Sequence, residues 1–288
     1  MFAIYKRELK SYFTSMTGPV FIAFLMLFIG IYFTIYNIVN GLPTFGYALY
    51  GVSFVFMISV PVLTMRSFAE EQKNRTDQLL YTSPVGTGSV VMGKYLAMVT
   101  VMGIVALLSC ICPLIISMYG TEGLLIDYSC IFAFFLIGAA YIAMGMFLSS
   151  LTESQIIACV TSFGLFFLLY YITDISSLIG SSAQASAVAF SAVFLAAGLI
   201  VYMITKNVYM SVLVSCIGII GVLIIFLAKP VLLAGSFPGI LKSFSLIDRF
   251  ANFVYQMFDW TSILYYLSIS FVFVFLTMQS IQLSLIHI

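Results

Sequence analysis

Long uninterrupted apolar runs alternate with short polar connections along the whole chain. Each run holds about 20 residues, the length that a helix needs to cross a bilayer core about 30 Å thick. Helices satisfy their own backbone hydrogen bonds in lipid, so the runs predict membrane-spanning helices. Eight spans are predicted, at about 20–39, 45–65, 96–118, 129–150, 155–173, 186–204, 208–228 and 261–281.

Composition supports the same fold class. Hydrophobic residues make up 63% of the 288 residues and charged residues only 7%, whereas a soluble domain has about 25% charged residues. The chain is therefore predicted to be an all-α, polytopic transmembrane helix bundle, with a single transmembrane domain over 1–288. The net charge of +1 gives no basis for nucleic-acid binding, so no nucleic-acid partner is expected.

Basic residues in the connections indicate the orientation, because lysine and arginine are enriched on the cytoplasmic side of membrane proteins. With a cytoplasmic N-terminus, eight of the 11 fall on that side, namely Lys6, Arg7, Lys10, Arg66, Lys73, Arg75, Lys94 and Lys206. Only Lys229, Lys242 and Arg249 fall on the other side. Both termini are therefore predicted to be cytoplasmic, in a multi-pass protein of the inner or plasma membrane.

Catalytic and ion-carrying residues are missing from the spans. No acidic, basic or histidine side chain occurs in the middle of any predicted span, where ion-coupled carriers commonly place them. No G-x-S-x-G or H-E-x-x-H motif occurs, and the five cysteines form no C-x-x-C pair. The sequence therefore predicts no catalytic residue, no metal site, no cofactor and no enzyme activity of its own.

One stretch, GSVVMGKY from Gly88 to Tyr95, is close to the phosphate-binding loop G-x-x-x-x-G-K-[ST]. The last position of that loop needs a hydroxyl that binds magnesium, and Tyr95 takes its place. No strand is predicted before the stretch, and a membrane span follows it. We therefore expect no nucleotide site here, and we expect Lys94 to end a connection at the membrane interface.

Charge is concentrated directly after the second span. Six of the 21 charged residues (11 basic and 10 acidic) fall within the twelve positions 66–77. Ser67 and Glu70 have the S-x-x-E spacing of a capping box, which predicts that a helix begins here. Glu70 and Glu71 would then lie in its first turn, where the helix dipole favours carboxylates.

An apolar patch, Leu79-Leu80-Tyr81, follows this charged stretch, and Thr82-Ser83-Pro84 ends the element. A solvated connector does not need such a patch. The region 66–94 is therefore interpreted as one or two short cytoplasmic helices with a charged and an apolar face. This favours a surface that docks a partner over a plain connector.

The N-terminal residues 1–18 carry a second amphipathic pattern. Apolar side chains recur at helical spacing, at Phe2, Tyr5, Leu9, Tyr12 and Phe13. Basic residues, including Lys6 and Arg7, lie between them. The pattern predicts a helix that lies in the membrane interface with its apolar face towards the lipid.

The segment 229–260 is predicted to be an extracytoplasmic loop. Phe250, Phe253, Val254 and Met257 recur at helical spacing before Trp260, which predicts an amphipathic helix on the outer membrane face. Two interpretations are open, a substrate gate and a structural interfacial helix, and the second is favoured.

Small residues recur along the fourth span, at Gly138, Ala139, Ala140, Ala143 and Gly145. Small side chains let two membrane helices approach closely. The sequence leaves open whether that packing lies within the chain or between two copies of it.

The charged stretch and the order of the elements resemble a known family. The matching residues are Arg66, Phe68, Ala69, Glu70, Glu71, Thr76, Leu79, Leu80, Ser83, Pro84, Val85, Gly93 and Lys94. The chain is similar to the permeases of ABC-2 type transporters, closest to the branch of gliding-motility-associated and nitrous-oxide-reductase copper-processing permeases. The resemblance covers about 1–173 and 245–281. That family usually has six spans, so 186–228 is interpreted as an extra transmembrane hairpin.

The resemblance implies the non-catalytic membrane subunit of an ATP-driven exporter. Besides membrane lipid, it implies two partners, a cytoplasmic ABC ATPase and a second permease copy. The implied interfacial elbow contains Tyr5, Lys6, Arg7, Leu9 and Phe13. The implied ATPase-docking residues in the coupling region are Arg66, Phe68, Glu70, Glu71, Arg75, Thr76, Leu79, Leu80 and Pro84.

Two other functions are open on the sequence. A secondary carrier or channel would transport its substrate without ATP. A non-transporting subunit that transmits a mechanical signal would support ATP turnover without moving a solute. The substrate itself is not readable, although apolar spans without charge are more typical of lipidic or amphipathic cargo.

Overall fold

A computed structural model of the chain describes residues 1–75, 86–118 and 123–286. Every regular element in these ranges is a helix, which confirms the predicted all-α class. The α-helices are α1 (Phe2–Thr14), α2 (Thr17–Phe33), α3 (Gly46–Val52), α4 (Phe56–Thr64), α5 (Ala69–Lys73), α6 (Thr87–Ser109), α7 (Ile111–Met118), α8 (Leu124–Ser150), α9 (Gln155–Leu178), α10 (Ala183–Thr205), α11 (Val208–Ala228), α12 (Pro230–Leu233), α13 (Ser236–Ser243), α14 (Leu246–Val254) and α15 (Trp260–Ile286). A π-helical turn, Thr34–Val39, follows α2, and a 3-10 turn, Ser53–Val55, joins α3 to α4.

Eight helical segments in the described ranges are long and apolar enough to cross a membrane, the number that the sequence predicts. They are Thr17–Val39, Gly46–Lys73, Thr87–Met118, Leu124–Ser150, Gln155–Leu178, Ala183–Met203, Val208–Ala228 and Trp260–Leu283. The third begins at Thr87 instead of about 96, and the fourth at Leu124 instead of about 129. These earlier starts place Lys94 and Asp127 inside helices rather than in connections.

The chain divides into two compact units. The first contains Met1–Leu168 and Arg249–Ile288, and the second contains Leu169–Asp248. The single domain over 1–288 stays a prediction. Within the second unit, α10 and α11 pack as a hairpin in which the Ser211 hydroxyl donates to the Gly198 carbonyl at 2.7 Å.

Helix α8 is the most buried span, and it forms the core of the first unit. Its Phe134 ring lies 4.7 Å from the Phe56 ring of α4, measured between centroids. At the start of α8, the buried Asp127 carboxylate accepts a hydrogen bond from the Phe45 backbone N–H at 2.8 Å. Asp127 therefore satisfies an N–H at the start of α3, which the helix itself leaves without an acceptor.

The small residues of α8 pack within the chain. A Cβ placed on Gly145 would lie 3.0 Å from the Thr64 Cβ of α4. On the same helix, a Cβ on Gly138 would lie 3.1 Å from the Met102 Cγ of α6. The sequence leaves open whether these residues pack within the chain or between two copies. Gly138 and Gly145 pack between helices of one unit.

The predicted amphipathic helix before the last span is α14, and it ends at Val254. Phe250 and Phe253 are buried, whereas Met257 lies beyond the helix and is exposed. The Phe250 ring stacks on Tyr50 of α3, and the Phe253 carbonyl accepts from the Cys130 thiol of α8 at 3.2 Å. These contacts support the structural interpretation of this helix.

The last span begins next to a carboxylate. Asp259 accepts hydrogen bonds from the hydroxyls of Thr261 at 2.6 Å and Ser262 at 2.7 Å, and from the Thr261 backbone N–H at 2.9 Å. These bonds hold the pKa of Asp259 well below its usual range. An ionised carboxylate at this position stabilises the start of α15.

Candidate functional site

Several segments of the first unit meet at one end of the bundle, which we call the charged end. They are α1, the corner 65–68 with α5, the start of α6, the end of α8 and the end of α15. The Gln282 amide of α15 donates to the Thr87 hydroxyl of α6 at 3.1 Å, so the last span ends here as well. The expected elbow and the first half of the expected coupling region both lie at this end.

Lys94 is the central side chain of the charged end. Its side chain is 3% exposed, and its Nζ donates to the Ser67 carbonyl and to Glu71 Oε1, both at 2.8 Å. Glu8 Oε2 of α1 lies 3.6 Å from the same nitrogen. A buried charge requires such partners, so Lys94 joins α1, α5 and α6. The sequence predicts that Lys94 ends a connection at the membrane interface. This prediction is wrong, because α6 already begins at Thr87.

The two glutamates of the charged stretch have partners within the chain. Glu70 and Arg66 form a two-point pair, with Nε–Oε2 at 2.7 Å and Nη2–Oε1 at 3.0 Å. Such a bidentate geometry is stronger than a single contact. Glu71 is bonded to Lys94 and also lies 3.7 Å from Nη2 of Arg7 on α1. The glutamates therefore organise the charged end before any partner binds.

The capping box expected at Ser67 does not form. Phe68 precedes the first residue of α5, and Ser67 Oγ has no hydrogen-bond partner within the described residues. Ser149 of α8 supplies the cap instead. Its Oγ accepts from the backbone N–H groups of Phe68 at 3.3 Å and Ala69 at 3.2 Å, and it donates to the Met65 carbonyl at 3.2 Å. The capping box predicted from local spacing is wrong, because Ser149, a residue distant in the chain, accepts the hydrogen bonds from the backbone at the start of α5.

The other expected docking residues differ in exposure. The Phe68 side chain is buried, so its ring cannot contact a partner in this conformation. Arg75 is exposed, as is its neighbour Lys73. Four expected docking residues lie outside the described residues, namely Thr76, Leu79, Leu80 and Pro84.

The expected elbow residues all belong to α1. Tyr5 bonds through its hydroxyl to Thr100 Oγ1 of α6 at 3.0 Å, and Leu9 is half-buried. Lys6, Arg7 and Phe13 are exposed. Helix α1 therefore has one face against the bundle and one face away from it. The predicted helix is present, but Tyr5 and Tyr12 of its apolar face lie against the bundle and not towards the lipid.

A glycine allows α1 to lie close to α6. A Cβ placed on Gly93 would lie 3.1 Å from Ile4 Cγ2 and 3.3 Å from the Tyr5 backbone nitrogen. Any larger side chain at this position would push α1 away. Because Gly93 immediately precedes Lys94, this close approach also brings Glu8 within reach of the buried ammonium.

A groove of about 380 Å³ opens at the charged end. Its lining includes Arg7, Arg66 and Asn74. Tyr12 also lines the groove, and burial, together with the nearby Glu8 carboxylate, raises the pKa of Tyr12, so the phenol stays protonated. Within the described residues, no cluster of histidine, cysteine and carboxylate side chains is suited to hold a metal ion.

A comparison with protein families matches residues 5–213 to the family described as ABC-2 family transporter protein. The match covers more than half of the chain and includes most of α1, the charged stretch and α8. The chain belongs to the ABC-2 transporter family. No curated protein shows a significant match. As an ABC-2 family member, the chain is a membrane component of an ABC transporter, which confirms the resemblance at the level of the family.

Three further residues of this ABC-2 protein form polar contacts of the charged end, namely Glu8, Lys94 and Ser149. Lys94 lies in the predicted coupling region 66–94 but was not predicted to be buried with partners, and Glu8 and Ser149 were not predicted as site residues. Lys94 carried a readable signal, because a charge that follows Val90 to Gly93 and precedes an apolar run needs a partner. Ser149 carried none, because serine is common near helix ends and its partners are about 80 residues away in the chain.

The Ser149 cap gives a first test of the ABC-2 charged end. Loss of a side-chain cap costs about 1 kcal/mol, a factor of about five in a local equilibrium. We therefore expect Ser149→Ala to accelerate amide exchange about fivefold at Phe68 and Ala69, measured by hydrogen–deuterium exchange on a peptide spanning 65–73. Ser150→Ala is the matched control, since the Ser150 hydroxyl donates to Phe147 of its own helix. Equal exchange in the two variants would contradict the cap.

Proposed function

We propose that this ABC-2 protein is the permease subunit of an ATP-driven exporter. It pairs with a second permease copy and docks a separate cytoplasmic ATPase through the region after the second span. In this proposal the charged end and both termini face the cytoplasm, and the protein resides in the inner or plasma membrane. The protein belongs to the branch of gliding-motility-associated and copper-processing permeases.

The observation that carries the proposal is the attachment of α5 to the bundle. Lys94 links α5 to α1 and α6 through Glu71 and Glu8. Ser149 links the start of α5 to α8. A force applied to α5 from outside therefore reaches three other helices through buried polar contacts, which is what a coupling element requires.

ATP hydrolysis takes place in the partner chain. The stretch from Gly88 to Tyr95 that approximates a phosphate-binding loop is helical, because α6 begins at Thr87. Its lysine is bonded to Glu71 and the Ser67 carbonyl instead of projecting into a loop. This geometry favours a structural role for Lys94 and leaves the energy source to a separate ATPase.

Docking is best tested at the exposed cations of the coupling region. We expect Lys73→Glu combined with Arg75→Glu to reduce co-purification of the ATPase at least tenfold, or about 1.4 kcal/mol. The reason is that charge reversal at a complementary interface creates like-charge contacts. The measurement is the ratio of ATPase to permease after affinity purification from membranes, normalised to the amount of permease inserted.

Lys229→Glu combined with Lys242→Glu is the control, because it makes the same charge change on the side that the sequence predicts to be extracytoplasmic. Glu71→Lys is not a suitable test, since a second ammonium beside the buried Lys94 would disturb the fold itself. An unchanged ATPase ratio in the double variant, with normal insertion, would refute docking at this surface.

A further inference from the structure

The charged groove is adjacent to an apolar groove of the same unit. The apolar groove has a volume of about 300 Å³ and lies between α2 and α4, with Phe24, Ile58 and Val62 in its lining. Ser15 and Thr17 line both grooves. The surface therefore changes from charged to apolar at the turn between α1 and α2.

The apolar groove runs along two membrane spans. Phe24 lies seven residues after Thr17, or about 10 Å along α2 at 1.5 Å per residue. Val20 and Val62 are 60% and 43% exposed, so acyl chains have access to them. An apolar groove at this depth fits a hydrocarbon chain that enters from the lipid.

The charged groove has balanced charges. Its described lining contains three cations, Arg7, Arg66 and Lys94, and three carboxylates, Glu8, Glu70 and Glu71. A purely anionic group would meet the carboxylates, and a purely cationic group would meet the cations. These groups also pair with one another, and a ligand that carries both charges can join their network without leaving a charge of either sign unmatched.

A buried polar atom in the same groove is unsatisfied. Ser67 is 3% exposed, and its Oγ has no hydrogen-bond partner in the described part of the chain. A buried hydroxyl without a partner is costly, so the site is incomplete as it stands. Ser67 also lines the charged groove, where a polar ligand could supply the missing hydrogen bond.

We propose that the two grooves together bind one phospholipid with a zwitterionic headgroup and a primary ammonium, such as phosphatidylethanolamine. The phosphate lies against the guanidinium groups of Arg7 and Arg66, which suit its geometry. The ammonium, with three donors, lies against the glutamates, and one acyl chain follows α2 and α4. Arg66, Glu70 and Glu71 belong both to this site and to the expected docking residues. Lipid binding to the purified permease needs no ATPase, so its test is separate from the test of docking.

The test uses the full-length protein, purified in detergent and depleted of lipid. Native mass spectrometry measures the binding of phosphatidylethanolamine, phosphatidylcholine and phosphatidylglycerol with identical acyl chains. We expect one tightly bound phosphatidylethanolamine per chain, with at least tenfold higher affinity than either other lipid. The affinity should fall with each N-methyl group added to the amine. Soluble phosphoethanolamine should not displace the lipid, because it lacks the chain that fills the apolar groove.

A pair of variants tests the apolar groove. Val62→Trp fills the groove and should weaken phosphatidylethanolamine binding about tenfold. Leu27→Trp makes a comparable change on the exposed surface of α2, outside the groove lining, and should change binding less than twofold. Equal binding of the three lipids would reduce the site to ordinary lipid contact and overturn the proposal. Tighter binding of phosphatidylglycerol than of phosphatidylethanolamine would overturn it as well. So would an equal loss of binding in the Val62→Trp and Leu27→Trp variants.

Discussion

Lys94→Met should lower the free energy of unfolding by about 3 kcal/mol, the magnitude measured when one partner of a buried ion pair is removed. Methionine keeps an apolar stem of similar length but removes the ammonium between Glu71 and Glu8. The two carboxylates then lie in a mostly enclosed site without the cation that neutralises them. The link between α5 and α1 is lost with it, so ATP-driven transport should fall together with stability.

The measurement is thermal unfolding of the purified protein in detergent. The double variant Glu71→Gln with Lys94→Met should recover part of the lost stability, because it removes both charges of the closest pair. Lys10→Met is the control, because Lys10 lies on the exposed face of α1, and this variant should leave the midpoint temperature of unfolding nearly unchanged. If Lys94→Met unfolds at the wild-type temperature, the buried cluster is not a stabilising element.

Gly145→Val should be similarly severe, for a steric reason. The added Cβ would lie 3.0 Å from Thr64 Cβ and 3.1 Å from its Cγ2, and Thr64 is fully buried. The Thr64 hydroxyl is bonded to the Val60 carbonyl of its own helix at 3.0 Å, so its side chain cannot simply turn away. Helices α4 and α8 must separate, and overpacking of this kind costs about 1–3 kcal/mol.

The matched control is Gly30→Val. A Cβ at Gly30 meets no atom within 4 Å, and both glycines lie inside membrane helices. We expect Gly145→Val to lose a clear fraction of folded, monodisperse protein on heating, while Gly30→Val behaves like the wild type. A comparable loss in both variants would mean that helix propensity, and not the contact with Thr64, determines the effect.

The helical class and the number of spans could be predicted because lipid imposes one strong rule. A segment that crosses the bilayer needs about 20 apolar residues and must satisfy its own backbone. The helix α1 was predictable from the helical spacing of its apolar residues. The contact of Tyr5 with α6 was not, because an apolar face can pack against lipid or against protein. The sequence pattern predicts the start of α6 about nine residues too late, because Gly93 and Lys94 have the composition of a connection that ends at the membrane interface.

The polar contacts of the charged end could be predicted only in part. The concentration of charge at 66–77 is visible in the sequence, but its partners are not. Glu71 pairs with Lys94, which is 23 residues away, and α5 is capped by Ser149, about 80 residues away. The capping box predicted from the S-x-x-E spacing does not form. Glu70 pairs with Arg66, and the Ser149 hydroxyl accepts the backbone hydrogen bond at the start of α5.

Asp127 and Ser149 lie near opposite ends of α8, and each accepts hydrogen bonds from backbone groups of the second span, at Phe45 and at Phe68 and Ala69. The two spans are thus fastened at both ends. Sliding one along the other would break buried hydrogen bonds, each worth about 1 kcal/mol, at one end or the other. Displacement of α5 is therefore expected to move the second span and α8 together.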